Sequence, residues 1–412
     1  MPDRTRRSSA EKGPAVYDAV VVGARCAGAT TALLLARRGH RVLLVDRDSF
    51  PSDLRLSTHL VWPPGIAHLQ RWGLLDELVA SGCPPLPTGT MDLGDFTITG
   101  RFPAVDGIRD AYAPRRAVLD GILVRAATAA GVELWERCTV DGLLSDDGST
   151  DIRVGGIEGR IDGGRRVTAR ARIVIGADGR RSAVARLAGA PTYDERPRRQ
   201  GTYFTYWSGL SVPGNTLYVR PYRSVVAYPT NDDLTLVAVN WPIDDYAAVR
   251  DDIAGNYART IAEVTPDLAD LLASARREER WIGAAIPAFF RRPHGPGWAL
   301  VGDAGYVLDP CTAQGITDAF AHAELVADAV DAGLTGRADL QAALAGYEQR
   351  RNEAVRPMYE FTFEQAGLEP PPPEMAQLFA AMQHDPDLAE TFLGVFAGSI
   401  PVQDFIGTAT RH

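Results

Sequence analysis

WALVGDAGYVLDPCTAQGITDAF, from Trp298 to Phe320, decides how the rest of the chain is read. Its apolar start suits a buried strand, Gly302-Asp303 breaks the run, and a long amphipathic helix is expected to open at Gln314-Gly315-Ile316. Strand, glycine turn and helix in that order set a helix N-terminus, with unpaired N–H groups and a positive dipole end, beside a strand end. Negative charge is stabilised there. The pattern has two partners, VVVGARCAGAT near the start and IVIGADGRRSAVAR in the middle. Any one of the three is a weak signal, but together they describe a chain folded around a flavin dinucleotide.

The early turn carries the most local chemistry. Asp18 to Val22 is an apolar run of parallel-strand type, Gly23 ends it, and Ala32 to Gly39 reads as a helix closed by its glycine. Gly23 and Gly28 supply two of the three usual glycines of a dinucleotide turn, where backbone must approach a pyrophosphate closely. Arg25 stands in place of the middle one, between Ala24 and Ala27, and its charge suits a diphosphate neighbour. The strand RVLLVDR brings Asp46 to its end, 23 residues after Gly23, where a carboxylate can accept from ribose hydroxyls; Arg47 follows it. In the middle element, Asp178-Gly179 makes the turn and Ser182 is placed to cap the next helix.

With these motifs the chain resembles the p-hydroxybenzoate hydroxylase type of FAD-dependent monooxygenase, in the wider group with geranylgeranyl reductases and flavin-dependent halogenases. The resemblance runs from about Val16 to Tyr347. It implies that Gly23, Gly28 and Asp46 hold the dinucleotide, that Asp178 belongs to a "DG" motif, and that Gly302-Asp303 with Pro310, Gly315 and Ile316 forms a "GD" motif around the flavin. It further implies that Arg116, three residues before Leu119, reaches the FAD, and that the backbone of Val140, on the strand ELWERCTV, meets the adenine. Two departures stand out: His59 lies where the family often has an arginine, and Gly305-Tyr306 follows the GD motif where a histidine is common.

The resemblance implies an α/β protein: a discontinuous Rossmann-like FAD-binding domain (16–82, 113–190 and 285–345) with an inserted antiparallel β-sheet substrate domain (83–112 and 191–284). A disordered leader (1–15) is expected before them and a helical C-terminal segment (346–412) after them. Short β-rich runs from Gly201 to Val239 support the sheet. Its aromatic residues Tyr203, Tyr206, Trp207, Tyr218, Tyr222 and Tyr228 are expected over the flavin, and Tyr203, Trp207, Arg220 and Tyr228 are the candidate substrate contacts.

Composition narrows the function. Net charge is −9 and no block of like charge suggests a nucleic-acid surface. No apolar run approaches bilayer length, and the first 15 residues lack the apolar core of a secretion signal, so a cytoplasmic monomer or homodimer is expected. Cys26, Cys83, Cys138 and Cys311 form no CxxC pair, which speaks against zinc and disulfides; no metal is expected. Lys12, in the leader, is the only lysine. The lysine that the resemblance would imply for a halogenase therefore has no candidate, and the tryptophan-rich WxWxIP segment is absent, RWIGAAIPAF being the nearest run.

The expected activity is thus hydroxylation or epoxidation of an aromatic or polyketide-like small molecule in secondary metabolism. NAD(P)H would reduce the FAD, with Asp178, Arg180 and Arg181 as contacts along a shared groove. O₂ would add to give a flavin C4a-hydroperoxide, and the protein would supply a dry pocket and orientation. His59, with its ordinary neutral-range pKa, is the candidate catalytic residue. An alkene reductase of the geranylgeranyl reductase type, or a non-redox FAD-containing cyclase or scaffold, would use the same motifs.

Overall fold

The computed structural model describes residues 16–52, 56–145 and 153–409, with side chains left undescribed at 374 and 406–409. The expected leader (1–15), with Lys12, and the last three residues of the C-terminal segment lie outside it.

Five strands, the second by its apolar C-terminal half, form the parallel centre of the first sheet, in the order Trp298–Leu300, Arg165–Gly176, Tyr17–Val22, Val42–Val45, Glu133–Trp135. Val20, Val21, Leu43 and Leu44 are fully buried because both faces are covered, which is why these runs read as continuously apolar and not alternating. Helices Cys26–Arg37, Arg116–Ala129 and Gly315–Leu334 bury one face in a single apolar cluster. Each core leucine there, such as Leu33 or Leu35, contributes about 1.5–3 kcal/mol by leaving water. The other face packs against the antiparallel strands Cys138–Ser145 and Val154–Ile161, which pair on into the N-terminal half of Arg165–Gly176. Val140 lies on the first of these and not on the short strand 133–135 before it, because Arg137 interrupts the run at positive φ.

The second sheet runs Arg276–Arg277, Gln200–Ser208, Thr235–Pro242, Arg223–Pro229, Asn215–Arg220, Thr88–Asp92, Thr97–Arg101. It departs from the expected antiparallel sheet at one seam: Thr88–Asp92 pairs parallel with Asn215–Arg220. Those strands are separated by most of the flavin half of the chain, so no hairpin constrains their direction. Three helices for which the sequence reading gave no element within the 191–284 part, Ile243–Val249, Ile253–Val264 and Pro266–Ser274, cover its outer face. The inner face looks toward Leu340–Gln365, Pro373–Met382, Pro386–Phe396 and Val402–Ala409. Among the described residues no helix is long and apolar enough to cross a membrane.

Candidate functional site

Three glycine turns converge because the three strands that carry them are neighbours in one parallel sheet. Ala177 N donates to Val22 O at 2.7 Å, and Val301 N to Gly176 O at 2.9 Å, tying the turns edge to edge. Gly23 has φ +100°, and a Cβ there would stand 2.4 Å from Ala177 O. A Cβ on Gly28 would stand 1.7 Å from Gly23 O, so this turn closes only with glycine. A Cβ on Gly302 would meet Ala27 at 2.7 Å, which fixes the third turn against the first.

Around this junction the polar groups are arranged in two sets. Asp46, buried at the end of its strand, accepts from Ala24 N at 2.7 Å and from Asp48 N at 2.9 Å. Burial raises its carboxyl above the usual range, and those two N–H bonds work against the rise. Asp303 faces open space but is surrounded by enough protein that desolvation lifts its carboxyl too, while Arg116 and Arg180 pull it back. A Cβ on Gly315, at the N-terminus of the 20-residue helix, would meet nothing within 4 Å. A backbone cradle open to negative charge therefore lies beside an acid placed to accept from hydroxyls.

Arg116 does not act alone. Its Nη2 donates to Asp120 Oδ1 at 2.9 Å, while Arg25 Nη1 reaches Asp120 Oδ2 at 3.1 Å and Arg25 Nη2 reaches Asp48 at 2.8 Å. The Arg25 side chain, expected toward a diphosphate, is here paired with two carboxylates. Asp120, fully buried and also accepting from Cys26 Sγ at 3.3 Å, was missed by the sequence reading; its position one helical turn after Arg116 was the available signal. Asp178 turns inward as well, accepting from Ser182 Oγ at 2.5 Å and Ala183 N at 2.6 Å, while Ser182 caps its helix through Ala185 N. Arg180 and Arg181, with Arg186 and Arg291, border a basic pocket of about 330 Å³ next to that turn. Arg47 is exposed, and Val140 is buried in register with Gly159.

A cavity of about 910 Å³ separates the inner face of the second sheet from the C-terminal helices. It reaches Pro310, Cys311 and Ala313, in the loop just before Gly315. Gln314 Nε2 donates to Phe396 O at 2.7 Å, so the helix Pro386–Phe396 is tied to that loop.

The sheet sorts its aromatics by alternation. Tyr206 and Tyr228 share the inner face with Phe204, and the Tyr228 hydroxyl donates to Thr58 O at 2.7 Å. Tyr203, Trp207 and Tyr218 point the other way, packing with Trp241, Tyr257 and Trp281 under the outer helices. Arg220 projects to that side as well and pairs with Asp92 at 2.9 Å, while Tyr222 is 49% exposed in a hairpin turn. Of the four expected substrate contacts, the structure brings only Tyr228 to the cavity wall.

His59 is 2% exposed, with φ +47°, its Nε2 2.9 Å from the Tyr206 hydroxyl and its ring parallel to that tyrosine at 5.8 Å. Desolvation, reinforced by Arg115 and Arg116, pushes its pKa down to about 3. The neutral-range titration expected of it is corrected: His59 stays uncharged and acts as a fixed polar strut.

A family model described as "FAD binding domain" matches residues 16–362. The chain belongs to this family. It is an FAD-dependent oxidoreductase. Over 308 residues it is 29% identical to a 6-methylpretetramide 4-monooxygenase of Streptomyces rimosus, covering 73% of this chain and 71% of the relative. A digeranylgeranylglycerophospholipid reductase of Methanocella arvoryzae is 25% identical over 351 residues, covering 82% and 83% of the two chains. Among solved structures, a flavin-dependent brominase superposes with a TM-score of 0.79 at 19% identity over 96% of this chain and 98% of its own, a likeness of fold.

FAD fits the residues present. The open space before Gly315, the close-packed Gly23–Gly28 turn and the Asp46 carboxylate suit a dinucleotide's two ends, and Asp303 lies free to accept from a polyol chain. Arg116, 6% exposed and facing Asp303 electrostatically, sets a positive charge at the same junction.

Proposed function

We propose that this FAD protein is a single-component, NAD(P)H-consuming monooxygenase that inserts one atom of O₂ into an aromatic or polyketide-like small molecule, in secondary metabolism. The observation that carries the reading is the 910 Å³ cavity, walled by apolar and aromatic side chains and running up to the Pro310–Ala313 loop of the cofactor cradle. Such a space holds a mid-sized ligand away from water at the place where the cofactor is expected. The 6-methylpretetramide relative supports a substrate of that kind.

Bound FAD supplies electron storage and oxygen activation. The chain's own residues bind and orient. Gly23, Ala24, Ala27, Gly28 and Asp46 would hold the adenosine and pyrophosphate end, with the Val140 backbone at the adenine. Asp303 and Arg116 would hold the middle, and Pro310, Gly315 and Ile316 the ring end. The helix starting at Gly315 offers unpaired N–H groups and a positive dipole end to developing negative charge. Tyr206, Tyr228 and neutral His59 hold the inner wall in one geometry; burial lowers the His59 pKa and raises that of Tyr228, so neither of these two titrates at neutral pH. The basic pocket at Arg180, Arg181, Arg186 and Arg291 supports an anionic, phosphate-bearing reductant approaching beside the Asp178 turn. The same reading divides the chain into an FAD-binding part (16–82, 113–190, 285–345), a sheet part (83–112, 191–284) and a helical part from 346 onward. Halogenation is disfavoured because the only lysine, Lys12, lies in the expected leader and not in the folded parts.

Labelling tests the proposal. Product formed with NADPH or NADH under ¹⁸O₂ is expected to carry one heavy oxygen. Label arriving from water, or equal turnover without O₂, would transfer the case to the cyclase or alkene-reductase reading.

A further inference from the structure

The 910 Å³ cavity has an uneven chemistry that the proposed function does not use. Among the described residues that line it, none is an arginine, lysine or histidine. Its charged side chains are glutamates: Glu360 is paired with Arg196 and Glu369 with Arg199, while Glu364 is exposed at the rim and has no ion pair among the described residues. A ligand carboxylate entering this space would lose its water and meet no countercharge, which is a strongly unfavourable exchange.

One wall is aromatic. Phe392 packs edge-on against Phe396 at 5.3 Å and tilted against Phe379 and Phe405, and Phe396 packs edge-on against Phe361 at 5.1 Å. These rings present edges and faces to a flat ligand, and the volume lies toward the upper end of the roughly 300–1,000 Å³ typical of ligand pockets. A single-ring molecule would leave most of it unfilled. The opposite wall carries a short polar strip on the sheet, where Asn240 Nδ2 donates to Ser224 Oγ at 2.9 Å. Asn215, on the same face and only 8% exposed, has a side-chain carbonyl Oδ1 with no hydrogen-bond partner. A buried acceptor left unmet is costly, and a ligand O–H or N–H is the group that would satisfy it.

We infer that the cavity selects an uncharged, multi-ring aromatic ligand bearing a hydrogen-bond donor, and that Asn215 is the specificity-determining residue that accepts from it. The inference rests on the proposed function only in calling that ligand the substrate.

The experiment measures binding to the oxidised, FAD-loaded full chain by calorimetry, with no reductant, so that it is independent of oxygenation. Three probes share one ring system: 2-(hydroxymethyl)anthraquinone, 2-methylanthraquinone and anthraquinone-2-carboxylate. The hydroxymethyl probe is expected to bind at least about tenfold tighter than the carboxylate, whose charge goes unpaired, and severalfold tighter than the methyl probe, the size of one hydrogen bond. Asn215→Leu should abolish the preference for hydroxymethyl over methyl while leaving the carboxylate excluded. Should that variant fold poorly, exposed Glu364→Gln serves instead, and is expected to narrow the carboxylate discrimination about threefold by relieving like-charge repulsion. Equal or tighter binding of the carboxylate, a hydroxymethyl preference that survives Asn215→Leu, a carboxylate discrimination that Glu364→Gln leaves unchanged, or binding of none of the three would overturn the inference. If the order of affinities holds but ¹⁸O₂ labelling fails, only the oxygenase reading falls.

Discussion

Arg116 and Asp120 stand one helical turn apart, and the 2.9 Å ion pair between them is buried so completely that Asp120 has no exposure to water. The same carboxylate also balances Arg25. Removing it should leave two guanidinium groups with a missing countercharge inside the cofactor junction. Asp120→Ala is expected to destabilise the FAD-free protein by about 3–5 kcal/mol, the usual size for breaking a buried pair. Saturating FAD should recover part of that loss, since its diphosphate brings negative charge. Denaturant unfolding with and without FAD checks both statements.

Asp46→Ala should fold and bind FAD more weakly, losing charge-assisted hydrogen bonds of about 1.5–3 kcal/mol. The dissociation constant, read from flavin fluorescence on titrating the FAD-free protein, is then expected to rise at least about tenfold. Denaturing the wild-type protein should release FAD and no FMN.

The glycines give a contrast. Gly28→Ala forces a methyl to 1.7 Å from Gly23 O and should yield little soluble protein. Gly315→Ala meets no protein atom, so its melting temperature without FAD should stay close to wild type while FAD affinity falls. If Gly315→Ala bound FAD normally, the space before this helix would not be the cradle.

Asp303→Asn removes an exposed carboxyl whose pKa the surrounding protein raises and Arg116 and Arg180 pull back, so the FAD-free fold draws little stability from its charge. The variant without FAD should melt no lower than wild type at pH 7.5, and possess less flavin as purified. A variant that misfolds while its soluble fraction keeps normal flavin would show that Asp303 serves the core instead.

His59 sets a sign for acid stability. Its pKa is about 3 in the folded chain against 6.5 ordinarily, so protons favour the unfolded chain between those values. Stability is present above pH 6.5 and is lost as pH falls toward 3. His59→Asn, which tolerates the positive φ, should be about 1 kcal/mol less stable at pH 7.5 through the lost Tyr206 bond. That gap should close or reverse at pH 5, where only the wild type bears the histidine's burden, about 2 kcal/mol by the same two values. Thermal melts at the two pH values measure it.

The cofactor half was legible because its requirements are local. A phosphate cradle needs glycine within a few residues of a strand end, and Gly23, Gly28, Gly302 and Gly315 announce it in one dimension. Side-chain commitments were less legible. Arg25 and Asp178 look free in the sequence, but carboxylates 23 and 95 residues from Arg25, and the capped turn after Asp178, claim their hydrogen bonds. The helices over the outer sheet face were readable in principle. Ile253, Tyr257, Thr260, Ile261 and Val264 follow a helical period, and all but partly buried Ile253 are buried. With no element read there, the cover over Tyr203 and Trp207 went unseen, and both were expected on the flavin side. The far cavity wall comes from residues beyond 357, which no motif marks.

Because strands 215–220, 223–229 and 235–242 face a cavity on one side and packed helices on the other, adjacent positions along them answer to different selection pressures. Leu217, Val226 and Ala238 can be exchanged to reshape what the cavity accepts, while Val225, Val237 and Val239 hold the helices in place. A mutagenesis library restricted to the half-buried cavity-facing positions Leu217, Val219 and Val226 would therefore explore ligand range at less risk to folding than one at the buried Tyr228, Leu236 and Ala238, and a library on the opposite face would tune thermal tolerance.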